Sequence, residues 1–502
     1  MKSILRNICI IIFLIGSAVY ADVGSSVSGW SFSSDSVHAG LVRIRISTVH
    51  YSAVHPWSRE VGSSYDVTGI VLDNHRILMS AGPLKDAVNI EVMRHGSYRK
   101  FEGHILVSDL EANLAMITVS DESFFDGLKA IPLSADPSPG NTYRALRIDG
   151  NFNIESNDVT VSEIIPVADY GFTRLPVAVF RSAPRFEAGG LILDGNGLVG
   201  MIGFVDGQDQ AEAVFASRLK RFQEMVAEAD GNRSEYAGFP VQGFFFSPLE
   251  DPALRDYYGL KDNQDGVLIT TVLAECSVSD SLKPGDVLLS VDGFSVNPAG
   301  QYKDKKLGLQ SMDLLFVRDG AGNVRRPGDS LELKIVREGK EQTVNVPLRA
   351  YRGGAERIPW WVDGPPDYLV HNGLIFVELS VPFLKERFGG DWKIRALALA
   401  ASYDSEKYYA PGEEKDRVIV ISDTLPSDSV VGYERSTGEQ VVEINGKKAN
   451  SLAELRKVLE SNDGIATLKL KSGRMVYLRT GKGDPALREN YGIPEKSRIR
   501  KN

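Results

Sequence analysis

Cysteine is nearly absent from this chain, with two in 502 residues, Cys9 and Cys276. A disulfide scaffold is therefore excluded. The spaced Cys/His pairs of zinc sites, the Walker loop and the dinucleotide fingerprint are also missing, so neither a metal nor a cofactor is expected. Positive charge is in deficit: the formal net charge is −9, which argues against nucleic acid as a main partner. Long apolar runs are lacking too. The N-terminal apolar stretch, Ile8 to Ile15, falls short of the roughly 20 residues that span a bilayer. It follows the basic residues Lys2 and Arg6 and precedes the small-residue site Ala18-Val19-Tyr20-Ala21, the pattern of a signal peptide cleaved after Ala21. Cleavage would remove two positive charges, taking the formal charge from −9 to −11, and would leave Cys276 as the only thiol. An exported protein without a possible internal disulfide fits a periplasm better than a disulfide-rich secreted domain, and no membrane span is expected after cleavage.

What is present is a turn-rich, apolar-alternating chain long enough for about three domains. Apolar residues make up 43% and charged residues 25%, the balance of packed cores rather than disorder. With 48 glycines and 23 prolines, β architecture is favoured over helical bundles. Leu41 to Ile46 alternates at period two, Val67 to Leu72 meets Arg76 to Ala81 across a hairpin turn, and Asn89 to Arg94, Lys100 to Val107 and Leu114 to Val119 continue the series. Strands at this spacing without a long helix predict a barrel or sandwich. A helix is expected over Ala211 to Glu228, closing the first domain.

One stretch organises the first half: Arg185-Phe186-Glu187-Ala188-Gly189-Gly190-Leu191-Ile192-Leu193, then the turn Asp194-Gly195-Asn196-Gly197, then Leu198 to Phe204. It resembles the nucleophile segment of the HtrA/Deg serine proteases, in which Gly-Asn-Ser-Gly-Gly-Pro-Leu precedes such a hairpin. Aligned on Gly189-Gly190, the nucleophile position holds Ala188. The family's Leu-Thr-Asn-Asn-His-Val-Val has its counterpart in Ile77 to Leu84, with Gly82 where the histidine stands. Its Asp-Leu-Ala-Val-Leu has a counterpart in Asn113-Leu114-Ala115-Met116-Ile117, with Asn113 in place of the acid. Serine-protease chemistry needs a hydroxyl, an imidazole and a carboxylate. The resemblance thus implies a triad degenerate at Gly82, Asn113 and Ala188. Phe186, where a glycine helps form the oxyanion hole, makes that hole doubtful as well. A replacement is not evident in the seven histidines, His38, His50, His55, His75, His95, His104 and His371, nor in Ser80 or Ser182.

The middle of the chain resembles a PDZ domain. Val241-Gln242-Gly243-Phe244-Phe245-Phe246 has the form of a carboxylate-binding loop and the strand after it, and Ser281 to Gly293, containing Pro284-Gly285-Asp286, is the most specific PDZ signature. The resemblance implies capture of a peptide C-terminus by strand addition, with Val241, Gln242, Gly243, Phe244, Phe245 and Phe246 as binding residues. Alternation should turn Phe245 to the opposite face from its neighbours. The insertion Asn297 to Pro327 replaces the usual groove-helix region, and Lys305 to Phe316 is read as that helix, with Leu309, Met312 and Leu315 on one face.

The last third repeats the pattern after an aromatic linker, Pro359 to Tyr368. His371-Asn372-Gly373 precedes a strand, Arg417 to Ser422 forms another, and Ser451 with Glu454 caps an amphipathic helix through Leu459. This part resembles the plant-type Deg branch, whose divergent second PDZ domain implies assembly rather than peptide capture, and the insert Phe388 to Glu414 supports that divergence.

The expected fold is mainly β, a trypsin-like double β-barrel followed by two PDZ domains. The boundaries are a signal peptide at 1–21, a degenerate protease domain at 22–232, a first PDZ domain at 233–351, a linker at 352–366, a second PDZ domain at 367–485 and a basic tail at 486–502. The expected function is a catalytically inactive HtrA/Deg-like protein that binds protein C-termini or unfolded polypeptide as a scaffold, chaperone or protease regulator in the cell envelope. It would form homo-oligomers or assemblies with active Deg proteases. Two rivals stand beside it: an active endopeptidase with a relocated nucleophile, and a structural protein whose first groove is filled by its own Phe244 or Phe246.

Overall fold

The computed structural model describes residues 38–72, 75–149, 151, 153–168, 173–181, 188–206, 210–261, 264–462 and 464–500. The leader read at 1–21, Ser182 and Phe186 lie outside the described residues. Twelve strands make two closed barrels. The first contains β1 (Leu41–Tyr51), β2 (Arg59–Leu72), β3 (Arg76–Met79), β4 (Ala87–Arg94), β5 (Lys100–Asp109) and β6 (Leu114–Val119), in the order β1-β2-β3-β6-β5-β4. The second contains β7 (Thr142–Ile148), β8 (Ile154–Val167), β9 (Leu175–Arg181), β10 (Leu191–Leu193), β11 (Leu198–Asp206) and β12 (Gln210–Phe215), in the order β10-β11-β12-β9-β8-β7. Closure leaves neither barrel with an edge strand. Period-two alternation explains the interior: Val42, Ile44 and Ile46 of β1 face inward against Val71, Ile77 and Ile117.

Helix α1 (Ala216–Glu228) covers the second barrel with Leu219, Phe222, Met225 and Val226. The helix expected from Ala211 begins later, because Ala211 to Phe215 belong to β12, which pairs with both β9 and β11 to close the barrel. Cross-strand pairing on two sides outweighs the helical spacing of these five residues.

The third sheet comprises β13 (Phe244–Pro248), β14 (Val267–Val272), β15 (Val287–Val291), β16 (Phe294–Ser295), β19 (Ser330–Arg337) and β20 (Lys340–Pro347). Its path is β13-β14-β15-β19-β20, so β13 is an edge strand. A separate two-stranded ribbon, β17 (Gln301–Asp304) with β18 (Gly308–Ser311), stands where a helix over Lys305 to Phe316 was expected. Only α3 (Leu314–Val317), which follows α2 (Pro252–Tyr257), is helical there. Turn chemistry decides it: the Asp304 carboxylate accepts from the Lys306 and Leu307 amides at 2.8 and 2.9 Å, and Gly308 takes φ +76°, a left-handed value foreign to a helix.

The fourth sheet runs β21 (Tyr368–His371), β22 (Leu374–Glu378), β23 (Ile419–Thr424), β24 (Gln440–Ile444), β26 (Ile465–Leu470), β27 (Met475–Arg479), with β25 (Lys447–Lys448) beside β24. The strand expected at Arg417 to Ser422 is displaced two residues toward the C-terminus. Helix α4 (Val381–Phe388) leads into the insert, which contains α5 (Trp392–Arg395) and α6 (Leu397–Glu406), and α7 (Leu452–Leu459) carries its expected cap, with the Glu454 amide donating to Ser451 Oγ at 3.2 Å. A last short helix, α8, spans Pro485–Asn490.

The main core is continuous from both barrels through α1 into the third sheet, joining Leu41, Leu191, Phe222, Phe239, Phe244 and Leu331. A second core joins the fourth sheet to the tip of the β1–β2 hairpin, where Ala53 and Val54 pack with Tyr368, Val377 and Leu425. The tip is also tied by polar contacts: Ser52 Oγ and the Ala53 amide donate to Glu386, both at 2.6 Å, and Ser422 Oγ donates to the Val54 carbonyl at 2.9 Å.

Candidate functional site

The cleft of the double barrel is built by two turns. The Asp194 carboxylate accepts from the Asn196 and Gly197 amides at 2.7 and 2.9 Å, which closes the hairpin after β10 and fixes the preceding segment. Ala188 sits at the start of that segment, half-buried, and the next amide, Gly189 N, donates to the Ile202 carbonyl at 2.7 Å. Across the cleft, Gly82 opens a single 3₁₀ turn, Gly82–Leu84, with Pro83 inside it. Gly82 and Ala188 line one open cleft of about 680 Å³ together with Thr48, His50, Tyr65, Lys85 and Asp86.

Asn113 lies fully buried beneath Gly82, at φ +52°, a conformation that asparagine tolerates better than most residues. Its Oδ1 accepts from Ser80 Oγ at 2.6 Å and from the Gly82 amide at 3.1 Å, while Nδ2 donates to the Gly203 carbonyl at 3.1 Å. Gly203 belongs to β11, so the side chain pins the first barrel to the second. This geometry uses the amide at both ends, and a carboxylate could not donate to Gly203. The Ser80 hydroxyl is spent on the same bond and does not face the cleft as a nucleophile.

The histidines near the barrels have other partners or places. His50 is exposed on β1, His75 stacks on Phe125 at 4.7 Å, His38 stacks on His95 at 4.0 Å, and His55 bonds Asp423 Oδ2 at 2.9 Å. Lys85, Asp86 and His50 were not anticipated as cleft residues, because their placement depends on the register of β1 against β4, which no local motif records. Burial pushes the Asp86 carboxyl above its usual range.

The second candidate site lies along β13. Val241 N bonds the Arg349 carbonyl at 2.9 Å and Leu273 N bonds the Gly243 carbonyl at 2.9 Å, which hold the loop before the strand. Gly243 takes φ +84°, and a Cβ there would clash with Cys276, so only glycine fits. As alternation requires, Phe244 is buried against Phe316, Phe246 is half-buried against Gly300, and Phe245 turns outward at 36% exposure. Its ring packs on Tyr408 at 5.4 Å. All three rings line a cleft of about 400 Å³ with Val241, Gln242, Asp313, Val317, Tyr408 and, from the loop before β9, Arg174. Five of the six residues read as binding residues, Val241, Gln242 and Phe244 to Phe246, thus line one groove, while Gly243 shapes the loop before the strand without lining it. Tyr408 and Arg174 were missed because each comes from a distant part of the chain.

The equivalent place in the fourth sheet is filled. Here β22 is not an edge: β21 pairs along it through the two-residue turn Asn372-Gly373. The outer side of β21 is covered in turn, with Tyr368 N bonding the Arg498 carbonyl at 2.8 Å and Val370 N bonding Ser497 Oγ at 3.1 Å. His371 Nε2 and Asn372 Nδ2 both reach the Arg479 carbonyl, at 2.7 and 2.9 Å. Burial holds the His371 ring below its usual pKa.

Comparisons with known proteins agree with this architecture. A PDZ domain model matches residues 360–499. The chain is 22% identical over 449 residues to Protease Do-like 2, chloroplastic, of Arabidopsis thaliana, covering 88% of this chain and 71% of the relative. It is 21% identical over 430 residues to Protease Do-like 4, mitochondrial, of the same plant, covering 83% of this chain and 76% of the relative. Among solved structures, an HtrA-type protease, AlgW with decapeptide, matches at 14% identity and a TM-score of 0.44, covering 63% of this chain and 98% of that one. No helix among the described residues is long and apolar enough to cross a membrane. Two closed barrels and a PDZ match make this a trypsin-like fold with a PDZ domain, similar along most of its length to HtrA/Deg-type serine proteases.

Proposed function

We propose that the protein is a catalytically inactive member of the HtrA/Deg type that captures polypeptide C-termini or unfolded segments along β13. It acts as a scaffold, chaperone or regulator of envelope proteases, alone or assembled with active relatives. The observation that carries this reading is the Asn113 carboxamide. It donates to Gly203 and accepts from Ser80 and Gly82, so the position where the family's acid would stand serves as an inter-barrel pin. Gly82, directly above it, and Ala188 line one cleft and offer neither imidazole nor hydroxyl. The open edge of β13 supports binding by strand addition, and the covered edge of β22 supports a structural role for the C-terminal PDZ domain.

The division at 22–232, 233–351 and 367–485, with export after Ala21, belongs to the same reading. Its support is the leader's pattern and the resemblance of Val241 to Gly293 to a PDZ domain. The similarity to Arabidopsis Do-like proteases supports the plant-type branch.

The test is cleavage of unfolded casein by the full chain, run beside labelling with a serine-directed fluorophosphonate. The expected outcome is neither cleavage nor labelling. Cleavage by the wild type that vanishes when one serine is replaced would identify a relocated nucleophile and overturn the inactive reading.

A further inference from the structure

The first barrel is tightly paired at one end of its β4–β5 seam and splayed at the other. The two strands pair only from Glu91 with Glu102 to Met93 with Lys100. Beyond that point Ala87 to Ile90 pair with β1 alone, and Gly103 to Asp109 pair with β6 alone. Two unpaired stretches of strand therefore border a wedge-shaped cleft of about 550 Å³, whose far wall contains Tyr236, Phe239 and Trp361. Val88 and Ile105, one on each strand, line this cleft and are 59% and 42% exposed. Unpaired strand edges beside exposed apolar side chains are a template to which a further chain adds.

Because β4 and β5 are antiparallel, the start of one and the end of the other meet at the wide mouth of the wedge. Carboxylates stand on both sides of that mouth. Asp86, immediately before β4, receives the Gly364 amide, yet its Oδ1 is buried with no hydrogen-bond partner. On the other side Glu111 accepts from the Thr173 amide at 2.6 Å, and the hydroxyl of Thr173, a residue 1% exposed, has no partner. Asp109 is already satisfied by Tyr236 Oη at 2.7 Å and the Ala112 amide at 3.0 Å. The arginines of the cleft are engaged elsewhere. Arg233 pairs with Asp363 at 3.8 Å, and Arg352 donates to the Tyr236 and Ala237 carbonyls at 2.6 and 3.0 Å. Two buried polar atoms lining one cleft thus lack partners, a cost that native proteins seldom carry without a use for it.

We propose that the wedge takes up an extended segment of another polypeptide, which adds to the free edges of β4 and β5, packs an apolar side chain between Val88 and Ile105, and brings a lysine or arginine two residues on to Asp86. The spacing follows from the strand. Val88 and Asp86 are two residues apart, and an added strand presents its residues i and i+2 on one face, about 6.6 Å apart. A basic residue suits the mouth because a cationic donor both completes the hydrogen bond of the buried carboxylate and balances its charge. The site belongs to the first barrel, apart from the groove of β13, and asks for no free C-terminus.

The test uses the full chain and two fluorescein-labelled decapeptides, both amidated at the C-terminus so that neither offers β13 a terminal carboxylate. They share a serine- and threonine-rich sequence and differ only in a central Ile-Thr-Lys or Ile-Thr-Glu. Fluorescence polarisation is expected to show the lysine peptide binding about tenfold more tightly, the effect of one charge-assisted hydrogen bond. Val88→Ser combined with Ile105→Ser, both at exposed positions, should weaken the lysine peptide about tenfold. Asp86→Asn should bring the two peptides within about threefold of each other. Hydrogen exchange of the wild type, which depends on no variant folding, should show the lysine peptide slowing the amides of 87–90 and 103–109. Equal binding of the two peptides, an affinity untouched by the paired serine substitutions, or protection confined to residues outside these strands overturns the proposal. Absence of binding by the lysine peptide overturns it as well.

Discussion

At the scale of single residues, the three positions aligned with the family's triad differ in what they hold, and one of them makes structural bonds of its own. Ala188 and Gly82 simply lack functional groups, whereas Asn113 makes three hydrogen bonds that join two barrels. Restoring an acid there should therefore harm the protein. Asn113→Asp removes the donor to Gly203 and sets a carboxylate beside a carbonyl oxygen in a fully buried place. The expected cost is about 1–3 kcal/mol or more, read as a lower urea midpoint at unchanged slope. An unchanged midpoint would show that Asn113 is not the pin. Ala188→Ser alone should leave casein uncut, because Gly82 stands where the family's imidazole would take the serine's proton. Alignment of motifs singled out Gly82, Asn113 and Ala188 in the sequence. It did not show the new role of Asn113, because Gly203 is 90 residues away and a carbonyl partner leaves no mark in sequence.

At the scale of elements, legibility followed the strength of local signals. Strands with strict alternation and turns with Asp, Asn or Gly were readable, as was the Ser451 cap. The misreadings were helices expected where apolar spacing at three or four residues competed with pairing. Leu309, Met312 and Leu315 suggested a helical face, yet Asp304 and Gly308 impose a hairpin turn first, and Leu309 ends exposed on β18. The contact between the hairpin tip and β23 was equally invisible, and it has a titratable member. The His55 ring bonded to Asp423, opposed by burial and aided by the Thr424 amide and Arg387, holds that carboxyl below its usual range. Glu386 and the half-buried Trp57 also lie at this contact. A depressed acid stabilises the folded form above its unfolded pKa, about 3.9, and the contribution is lost as pH falls through the lower folded value. Wild type should therefore melt above Asp423→Asn at pH 6, and the gap should close as pH is lowered below about 4. A gap independent of pH would exclude the charge of this carboxylate as its source.

At the scale of the whole molecule, the parts are joined by three different kinds of contact. The barrels and the third sheet share one apolar core, while the fourth sheet is attached through the 407–415 segment and the β1–β2 tip. Along the first of these attachments Ala274 N bonds the Tyr409 carbonyl at 2.9 Å, Lys415 pairs with Glu275 at 3.0 Å, and Tyr408 packs on Phe245. The insert that marked the C-terminal PDZ domain as divergent is thus its bridge to the groove of β13. Motif order in the sequence revealed the units but not their joining, because the tip residues Ser52 to Trp57 carry no motif and act only through shape and burial. Val54 is the member whose loss should separate the units. It is buried within the core of the fourth sheet, and its carbonyl is held by Ser422. Val54→Asp would set an unpaired carboxylate in that core, at a cost of several kcal/mol unless the tip detaches. Detachment is the cheaper outcome, since the tip is the end of an exposed hairpin. Calorimetry of the wild type should then give one transition, because the cores are mutually supporting. Val54→Asp should give two, with the unit around residues 360–499 melting about 5–15 °C lower, the shift expected for a loss of a few kcal/mol in a unit of that size. A single transition at an unchanged temperature would mean that the 407–415 segment alone holds the fourth sheet in place, and that the tip rests against it without bearing on its stability.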